Sequence, residues 1–368
     1  MLMKIISIIV LITFAILVVA GFSKEKDDAT ISGSKNDTNQ GVVETMGNIA
    51  TTSSGWKTWK KNATPVYSGP HHLVGDPSVL HDGSVYRMFY NCFDPERSWG
   101  AVCQVTSTDG FAWSEVPTKD ALSGRMIKTR GEDRWDTAHE TPLVYKYKGQ
   151  YLLYFTGYVH KGDFGTSFPY HIGLAISQDG VSFERYGDGP IFSPTEGGYD
   201  SDAVFSPTIT EYEGKLVMLY TGICMKHCPG EAGVTLLAAT SDDGKVWTKT
   251  NMPVITKAEI TKLFPEAKDG AAESDIVKGP DGYYYLFMSL LYGNNGHEIG
   301  VARSLTPYGP WDINPETIIK KTEGGFDSVG PIAPSVIIEN DKVRMWYHGF
   351  GKKSIDIGYA ETSWPLKI

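Results

Sequence analysis

Five stretches of this chain share one pattern at a nearly constant interval, and that recurrence limits the fold more than any other feature. They are GDPSVLHDGSVYRMFY from Gly75, HETPLVYKYKGQYLLYF from His139, FSPTITEYEGKLVMLY from Phe205, GAAESDIVKGPDGYYYLFMS from Gly270 and IAPSVIIENDKVRMWY from Ile332. Each reads as a polar lead-in, a short apolar strand, a turn and a second strand. In the fourth stretch Ile276 and Val277 supply the first strand and Asp281-Gly282 the tight turn. Tyr283, Tyr285 and Phe287 then alternate with their neighbours as one face of a half-buried strand. Aligned on Pro77, Pro142, Pro207, Asp275 and Pro334, the stretches are spaced by 65, 65, 68 and 59 residues. A period this even signals a repeat architecture.

Each repeat continues with a loop, a third strand and a Ser-Asp-Gly-aromatic turn. TSTDGFAWSEV from Thr106, AISQDGVSFERY from Ala175 and ATSDDGKVWTKT from Ala239 show it, with ARSLTPYGPWDI from Ala302 as a Pro-bearing version. Gly supplies positive φ in these turns, and the Trp or Phe that follows covers the sheet edge. Four antiparallel strands per repeat, five times, predict an all-β protein folded as a five-bladed β-propeller. A β-sandwich also has many short strands, but it gives no reason for a Pro-initiated strand to recur at this interval.

Residues 1–22 form an apolar run behind Lys4, with small residues near Val18-Val19-Ala20, and read as a signal peptide. The run is also long enough for an uncleaved membrane anchor. Phe22 stands where a bacterial lipoprotein needs Cys. Residues 23–55 are rich in Lys, Asp, Ser, Thr, Asn and Gly, too polar to order themselves, and form a disordered linker. Residues 56–368 make up a single folded domain with no room for a second module. The formal net charge of −9, with no local Lys/Arg cluster against it, argues against a nucleic-acid partner. The membrane is a partner only through an uncleaved first segment, and the chain is expected to be a monomer.

The four cysteines fall into two local pairs, Cys92 with Cys103 and Cys224 with Cys228. In an exported chain these read as two short-range disulfides, with free thiols as the alternative. CMKHC, with His227 inside, has only three metal-binding side chains and lacks a fourth at the right spacing.

In a propeller the first strand of each blade lines the axis, so the lead-ins converge at one mouth. Asp76, Glu140 and Glu273 come from different repeats yet point at one volume. Crowded carboxylates repel when ionised, which raises the pKa of at least one and separates a proton donor from a base. Such a pair is what glycosidic cleavage needs. A lone acid before a strand is more often a turn cap, the reading given to Asp136, Asp200 and Asp327. The less polar surround of Glu273 marks it as the donor, and Asp76 as the base.

The GDPSV run and Glu273, nine residues before Gly282, resemble the five-bladed glycoside hydrolases of family 43 and their relatives in families 32, 68 and 117. The resemblance implies that Asp76, in its Asp-Pro pair, is the general base and Glu273 the general acid. A third family carboxylate, an Asp ahead of the third-blade strand, tunes the acid. This chain has Ser206 there, with Asp202 and Glu140 as replacements. The family 32 signatures are absent. The resemblance also brings a structural Ca²⁺ in the axial channel near a His, with His348 in the matching place, and no required cofactor. Substrate binding is assigned to His139, next to Glu140, to His348, and to the loop aromatics Phe93, Trp99 and Tyr292, whose faces stack on sugar rings. Arg97 lies in the loop of Phe93 and Trp99, the His160–Tyr170 loop adds Phe164, Phe168 and Tyr170, and His297 is a structural histidine.

The expected function is an exported glycoside hydrolase, inverting, acting on polysaccharide or oligosaccharide. The alternatives are a catalytically silent glycan-binding propeller, a phosphorolytic relative using Arg130 and Arg134, and a scaffold for protein partners.

Overall fold

The computed structural model describes residues 58–94, 99–117, 124–128, 130–131, 134–161 and 165–366. The apolar first segment, the linker and Trp56 lie outside the described residues. The chain is all-β. Strand β1 (Lys60–Lys61) comes first, and a first unit follows with β2 (Val74–Asp82), β3 (Val85–Asp94), β4 (Trp99–Ser107) and β5 (Ser114–Glu115). A second has β6 (Ala138–Tyr147), β7 (Gln150–Lys161), β8 (Gly165–Ser177) and β9 (Glu184–Arg185). A third has β10 (Ala203–Tyr212), β11 (Lys215–Cys224), β12 (Gly233–Ser241) and β13 (Thr248–Ile255). Next come β14 (Ala271–Lys278), β15 (Tyr284–Leu291), β16 (His297–Ser304) and β17 (Asp312–Ile313), then β18 (Gly330–Glu339), β19 (Lys342–Phe350) and β20 (Ile355–Ser363).

Within each unit the strands pair antiparallel in chain order, with one exception. The outer strand of the last unit is β1, which pairs with β20. One parallel pairing, Ala203 with Tyr170, joins the second and third units into a larger sheet. A short helix α1 (Lys257–Leu263), closed by a Thr256–Glu259 capping box, separates the third and fourth units.

Apolar clusters lie between neighbouring units. Val217 and Leu236 meet Ile276 and Leu286, and Phe287 and Val301 meet Val343 and Met345. Met88 and Tyr90 of the first unit meet Trp346 and Tyr359 of the last. Each unit is therefore covered on both faces, which corrects the half-buried strand expected for Tyr283, Tyr285 and Phe287. All of β15 is buried, because Tyr284, Leu286 and Met288 pack toward the third unit while Tyr285 and Phe287 pack toward the fifth.

In every unit the pairing of the first two strands breaks at one place. The breaks fall between Gly75 and Ser78, Glu140 and Leu143, Phe205 and Thr208, Ala272 and Ser274, and Ile332 and Ser335. The residue at the bulge takes positive φ, which is 49° at Asp76, 43° at Thr141, 49° at Ser206, 42° at Glu273 and 49° at Ala333. The counterpart of Asp76 is therefore Glu273, and Ser274 stands where the other repeats have Pro. Alignment on Asp275 is one residue out, and the spacings become 65, 65, 67 and 60. Asp275 instead occupies the next position, shared by Ser78, Leu143, Thr208 and Ser335.

That next position ties unit to unit. Val144 N–H donates to Ser78 Oγ (3.0 Å), Ile276 N–H to Thr208 Oγ1 (3.1 Å) and Val336 N–H to Asp275 Oδ2 (2.7 Å). Val79 N–H donates to Ser335 Oγ (2.9 Å), linking the last unit to the first. The Ser-Asp-Gly turns make a second set of links. Gly110 N–H donates to Ser107 Oγ, with the same bond from Gly180 to Ser177 and from Gly244 to Ser241, each 2.9 Å. The carbonyls of these glycines accept from Trp346 Nε1, Gln104 Nε2 and Tyr154 Oη of the preceding units.

The lead-in acids Asp136, Asp200 and Asp327 are buried ion-pair partners rather than plain turn caps. Arg185, Lys249 (2.5 Å) and Lys61 (2.9 Å), each on the outer strand of the same unit, neutralise them. Disulfides join Cys92 to Cys103 and Cys224 to Cys228, with Cα separations of 5.8 and 5.7 Å. The CMKHC sulfurs are therefore not thiolate ligands.

Candidate active site

The bulges present the candidate acids. Asp76 on β2 and Glu273 on β14 occupy equivalent bulge positions, and Glu140 on β6 sits one residue before its own bulge. Asp76 and Glu273 line a narrow cavity of about 30 Å³, walled by Pro77, Pro142, Pro207 and Pro334. That is room for water and not for a sugar ring. A substrate therefore meets these acids from the mouth.

Their protonation follows from their surroundings. Burial, and then the charges of Asp76 and Glu140, push the Glu273 carboxyl well above the ordinary carboxylate range. Burial and the charge of Asp76 raise Glu140 to about 8, against a hydrogen bond from Tyr158 that opposes the shift. Glu273 Oε2 has no hydrogen-bond partner in the protein. A proton-bearing carboxyl with an unclaimed oxygen thus stands beside a second carboxylate.

The low polarity has a visible source. Tyr158, Tyr170 and Phe205 form a buried apolar wall with Ala138 and Ala272, and Phe168, Met225 and Ile332 pack against it. Sequence reasoning missed Tyr158 and Phe205. Phe205 was legible in principle, since it occupies the repeat position of Glu140. Tyr158 has no such marker, because it lies at the end of a second strand.

One second-strand position holds the next unit's bulge. Ser206 N–H donates to Thr156 Oγ1 (3.3 Å), Glu273 N–H to Thr221 Oγ1 (3.0 Å) and Ala333 N–H to Ser289 Oγ (2.9 Å). In the last unit this position is His348, whose pairing opposite Ile332 matches that of Thr221 opposite Phe205. Its Nδ1 lies 2.9 Å from Asp76 Oδ1. His348 therefore contacts the proposed base rather than standing out as a sugar ligand, while its Nε2 has no protein partner.

The other expected site residues divide. His139 is fully buried and turns away from Glu140, with Nε2 3.2 Å from Arg185 and 3.6 Å from Asp136, because successive residues of a strand point to opposite faces. It is not placed to bind a sugar. Asp202 accepts a hydrogen bond from Met225 N–H at 2.6 Å and so anchors the Cys224–Cys228 loop. The charges acting on Glu273 are those of Asp76 and Glu140, not Asp202. Tyr292 is half-buried against the α1 cluster, bonded to Glu298, and Phe93 is half-buried near the end of β3. The side chain of Trp99, and Arg97 and Phe164 altogether, lie outside what the structure describes. His297 is buried, and burial with His348 and Lys321 nearby pushes it down to about 4. Arg130 and Arg134 border an open cleft with Arg185 and Asp188, and Arg130 and Arg185 both lean on Asp136.

Among the described residues no three His, Cys, Asp or Glu side chains gather in metal-binding geometry.

The chain is all-β, built of repeated units, with Asp76 and Glu273 at equivalent bulges and the Glu273 and Glu140 carboxyls raised by burial and neighbouring charge. The family model described as glycosyl hydrolases family 43 matches residues 63–359, and the chain belongs to that family. Solved structures share the fold at low identity. One described as a glycoside hydrolase has a TM-score of 0.61 at 16% identity, covering 87% of this chain and 94% of its own. The endo-arabinase from Bacteroides thetaiotaomicron VPI-5482 has a TM-score of 0.55 at 18% identity, covering 83% and 98%. The GH43 endo-arabinanase from Bacillus licheniformis has 0.54 at 19%, covering 79% and 94%. An uncharacterized protein of Mycobacterium tuberculosis, MT1551, is 27% identical over 154 residues, 40% of this chain and 45% of that protein. The chain thus spans under half the length of the curated relatives it matches.

Proposed function

We propose that the five units close as a five-bladed β-propeller and that the mouth of its axis is the active site of an inverting glycoside hydrolase. The link from Ser335 to Val79 and the apolar cluster between the last and first units support closure. One observation carries the function. Glu273, at a bulge equivalent to that of Asp76, keeps its proton because it is buried and faces Asp76 and Glu140. Glu273 donates that proton to the departing glycosidic oxygen. Asp76, steadied by His348, takes a proton from the water that attacks the anomeric carbon from the opposite face. The substrate is a polysaccharide or oligosaccharide, and no cofactor takes part. Arabinan fragments are the first to try, since two of the similar structures are described as arabinan-cleaving enzymes. The apolar first segment and the two disulfides support export to an oxidising compartment.

The test compares substrates by leaving group. Glu273→Gln should abolish turnover of oligosaccharides yet keep much of the rate on activated aryl glycosides, which hardly need protonation, while Asp76→Asn should lose both. Equal losses on both substrate types for Glu273→Gln would remove it as the acid. Proton NMR of the first-formed sugar should show the inverted anomer.

A further inference from the structure

The acidic lead-ins of the second, third and fifth units align as GEDRWD (Gly131–Asp136), TEGGYD (Thr195–Asp200) and TEGGFD (Thr322–Asp327). A backbone turn fixes the alignment. Gly198 N–H donates to the Thr195 carbonyl (2.9 Å), Gly325 N–H to that of Thr322 (3.0 Å) and Arg134 N–H to that of Gly131 (3.2 Å). In the third and fifth units the turn closes on its own aspartate. Thr195 and Thr322 donate their N–H to Oδ1 of Asp200 and Asp327, each at 3.2 Å, and Lys249 and Lys61 neutralise those carboxylates.

The second unit departs from this pattern. Arg134 stands where the others have Gly198 and Gly325, although a Cβ on Gly198 would lie 2.9 Å from Asp200 Oδ1 and one on Gly325 2.8 Å from Thr322 Cβ. The closed turn is lost with it, and Asp136 Oδ1 is buried without a hydrogen-bond partner in the protein. Two guanidiniums, those of Arg185 and Arg130 (3.8 Å), meet Asp136 where one lysine each serves Asp200 and Asp327. A loop that had only to neutralise its aspartate needs neither Arg130 nor Arg134. A local rule kept in two repeats and broken in the third marks a place where binding overrode packing.

We propose that the cleft bordered by Arg130, Arg134 and Arg185 is a distal subsite for the carboxylate of a uronic acid residue, so that the glycan met at the mouth is an acidic one. The inference rests on the reading of that mouth as the active site of a glycoside hydrolase.

Shape and charge both fit. The cleft is open, of about 650 Å³, and admits a sugar ring, unlike the narrow cavity between the acids. Arg130 holds one wall through the Gly187 and Asp188 carbonyls (3.3 and 3.0 Å), while the exposed Arg134 side chain makes no hydrogen bond or ion pair to another described residue. Three guanidiniums face two carboxylates, Asp136 and the exposed Asp188, which leaves one positive charge. That charge suits a monoanion gripped by the planar fork of Arg134, and a phosphate dianion would need more. The cleft also lies close to the acids. Arg185 is 3.2 Å from His139, the residue before Glu140, and the four chain steps from Asp136 to Glu140 span at most about 14 Å. A bound chain of a few sugar residues reaches from the mouth to the arginines.

The experiment is calorimetric titration of the whole chain carrying Asp76→Asn, which leaves glycans uncleaved, with an oligogalacturonate and with a neutral arabinan oligosaccharide of equal length. The acidic oligosaccharide should bind more tightly, and its advantage should shrink as NaCl is raised. Arg134→Gln should cut that advantage roughly tenfold or more, Arg130→Gln should act in the same direction, and Arg134→Glu should turn the preference toward the neutral chain. An oligogalacturonate that binds no better than the neutral chain would overturn the proposal, as would an advantage that survives both Arg134 substitutions. Tighter binding of dextran sulfate or of inorganic phosphate, lost in Arg134→Gln, would overturn it too, in favour of a sulfate-ester site or a phosphorolytic pocket. Should Arg130→Gln not fold, the exposed Arg134 variants decide alone. The readout needs no turnover. A missing preference with Glu273→Gln inactive therefore sinks only this inference, whereas a fully active Glu273→Gln sinks the reading beneath it and leaves the preference standing.

Discussion

Gly75 has no side chain, and His348 fills the space where one would be. A Cβ on Gly75 would sit 2.6 Å from His348 Nδ1, the atom that contacts Asp76. Gly75→Ala should therefore push the imidazole off the proposed base, while the pairing of Gly75 opposite Asn91 stays in place. A hydrogen bond to a charged group contributes about 1.5–3 kcal/mol, so kcat/KM should fall roughly ten- to a hundredfold. The melting midpoint should hardly move. A variant with full activity would show that the His348 contact is incidental, and a grossly unstable one would show that Gly75 serves packing instead.

At the scale of elements, the outer strands are pinned to the lead-ins by buried charge. Asp200 is 2% exposed and accepts from Tyr220 Oη (3.0 Å), Thr195 N–H and Lys249 Nζ. Removing only the cation leaves a charge in an apolar interior, which costs about 3–5 kcal/mol. Lys249→Met should lower the melting midpoint by roughly 5–10 °C. Adding Asp200→Asn to that variant should recover much of the loss, and calorimetry would read both. No recovery would mean that Lys249 acts through its stem over Phe192, 4.7 Å from the ring centroid. These pairs were only half legible in sequence. The repeated WD, YD and FD lead-ins marked the acids, but partners about 50 residues further along, Arg185 and Lys249, carry no sign of the pairing.

For the molecule as a whole, the decisive contact is between its two ends. Trp59 is 3% exposed against Phe287, at 6.1 Å between ring centroids, and Lys61 neutralises the fully buried Asp327. Deleting residues 58–62 would expose the edge of β20, empty the Trp59 site and strand Asp327. Losing a buried Trp contact and a buried ion pair costs several kcal/mol each, so the midpoint should drop by about 10 °C or more. An unchanged midpoint would show that the last unit is complete with three strands.

The sequence by itself determined the repeat and the turn chemistry, and it offered the two short-range disulfides and the acids Asp76, Glu140 and Glu273 as candidates, because these are local signals recurring at corresponding positions. Ser107, Ser177 and Ser241 make the same bonds to their glycines, and the charge of Asp76 raises Glu140 and Glu273 alike. Only the tertiary structure decided that Glu273, not Ser274, is the counterpart of Asp76, since a bulge adds a residue without disturbing the period-two pattern on either side. It alone turned His139 inward and His348 onto Asp76, and it alone brought β1 to the last unit. Proton affinity, too, was settled there, because the apolar wall around Glu273 is assembled from strands of different units, and no single stretch of chain contains it.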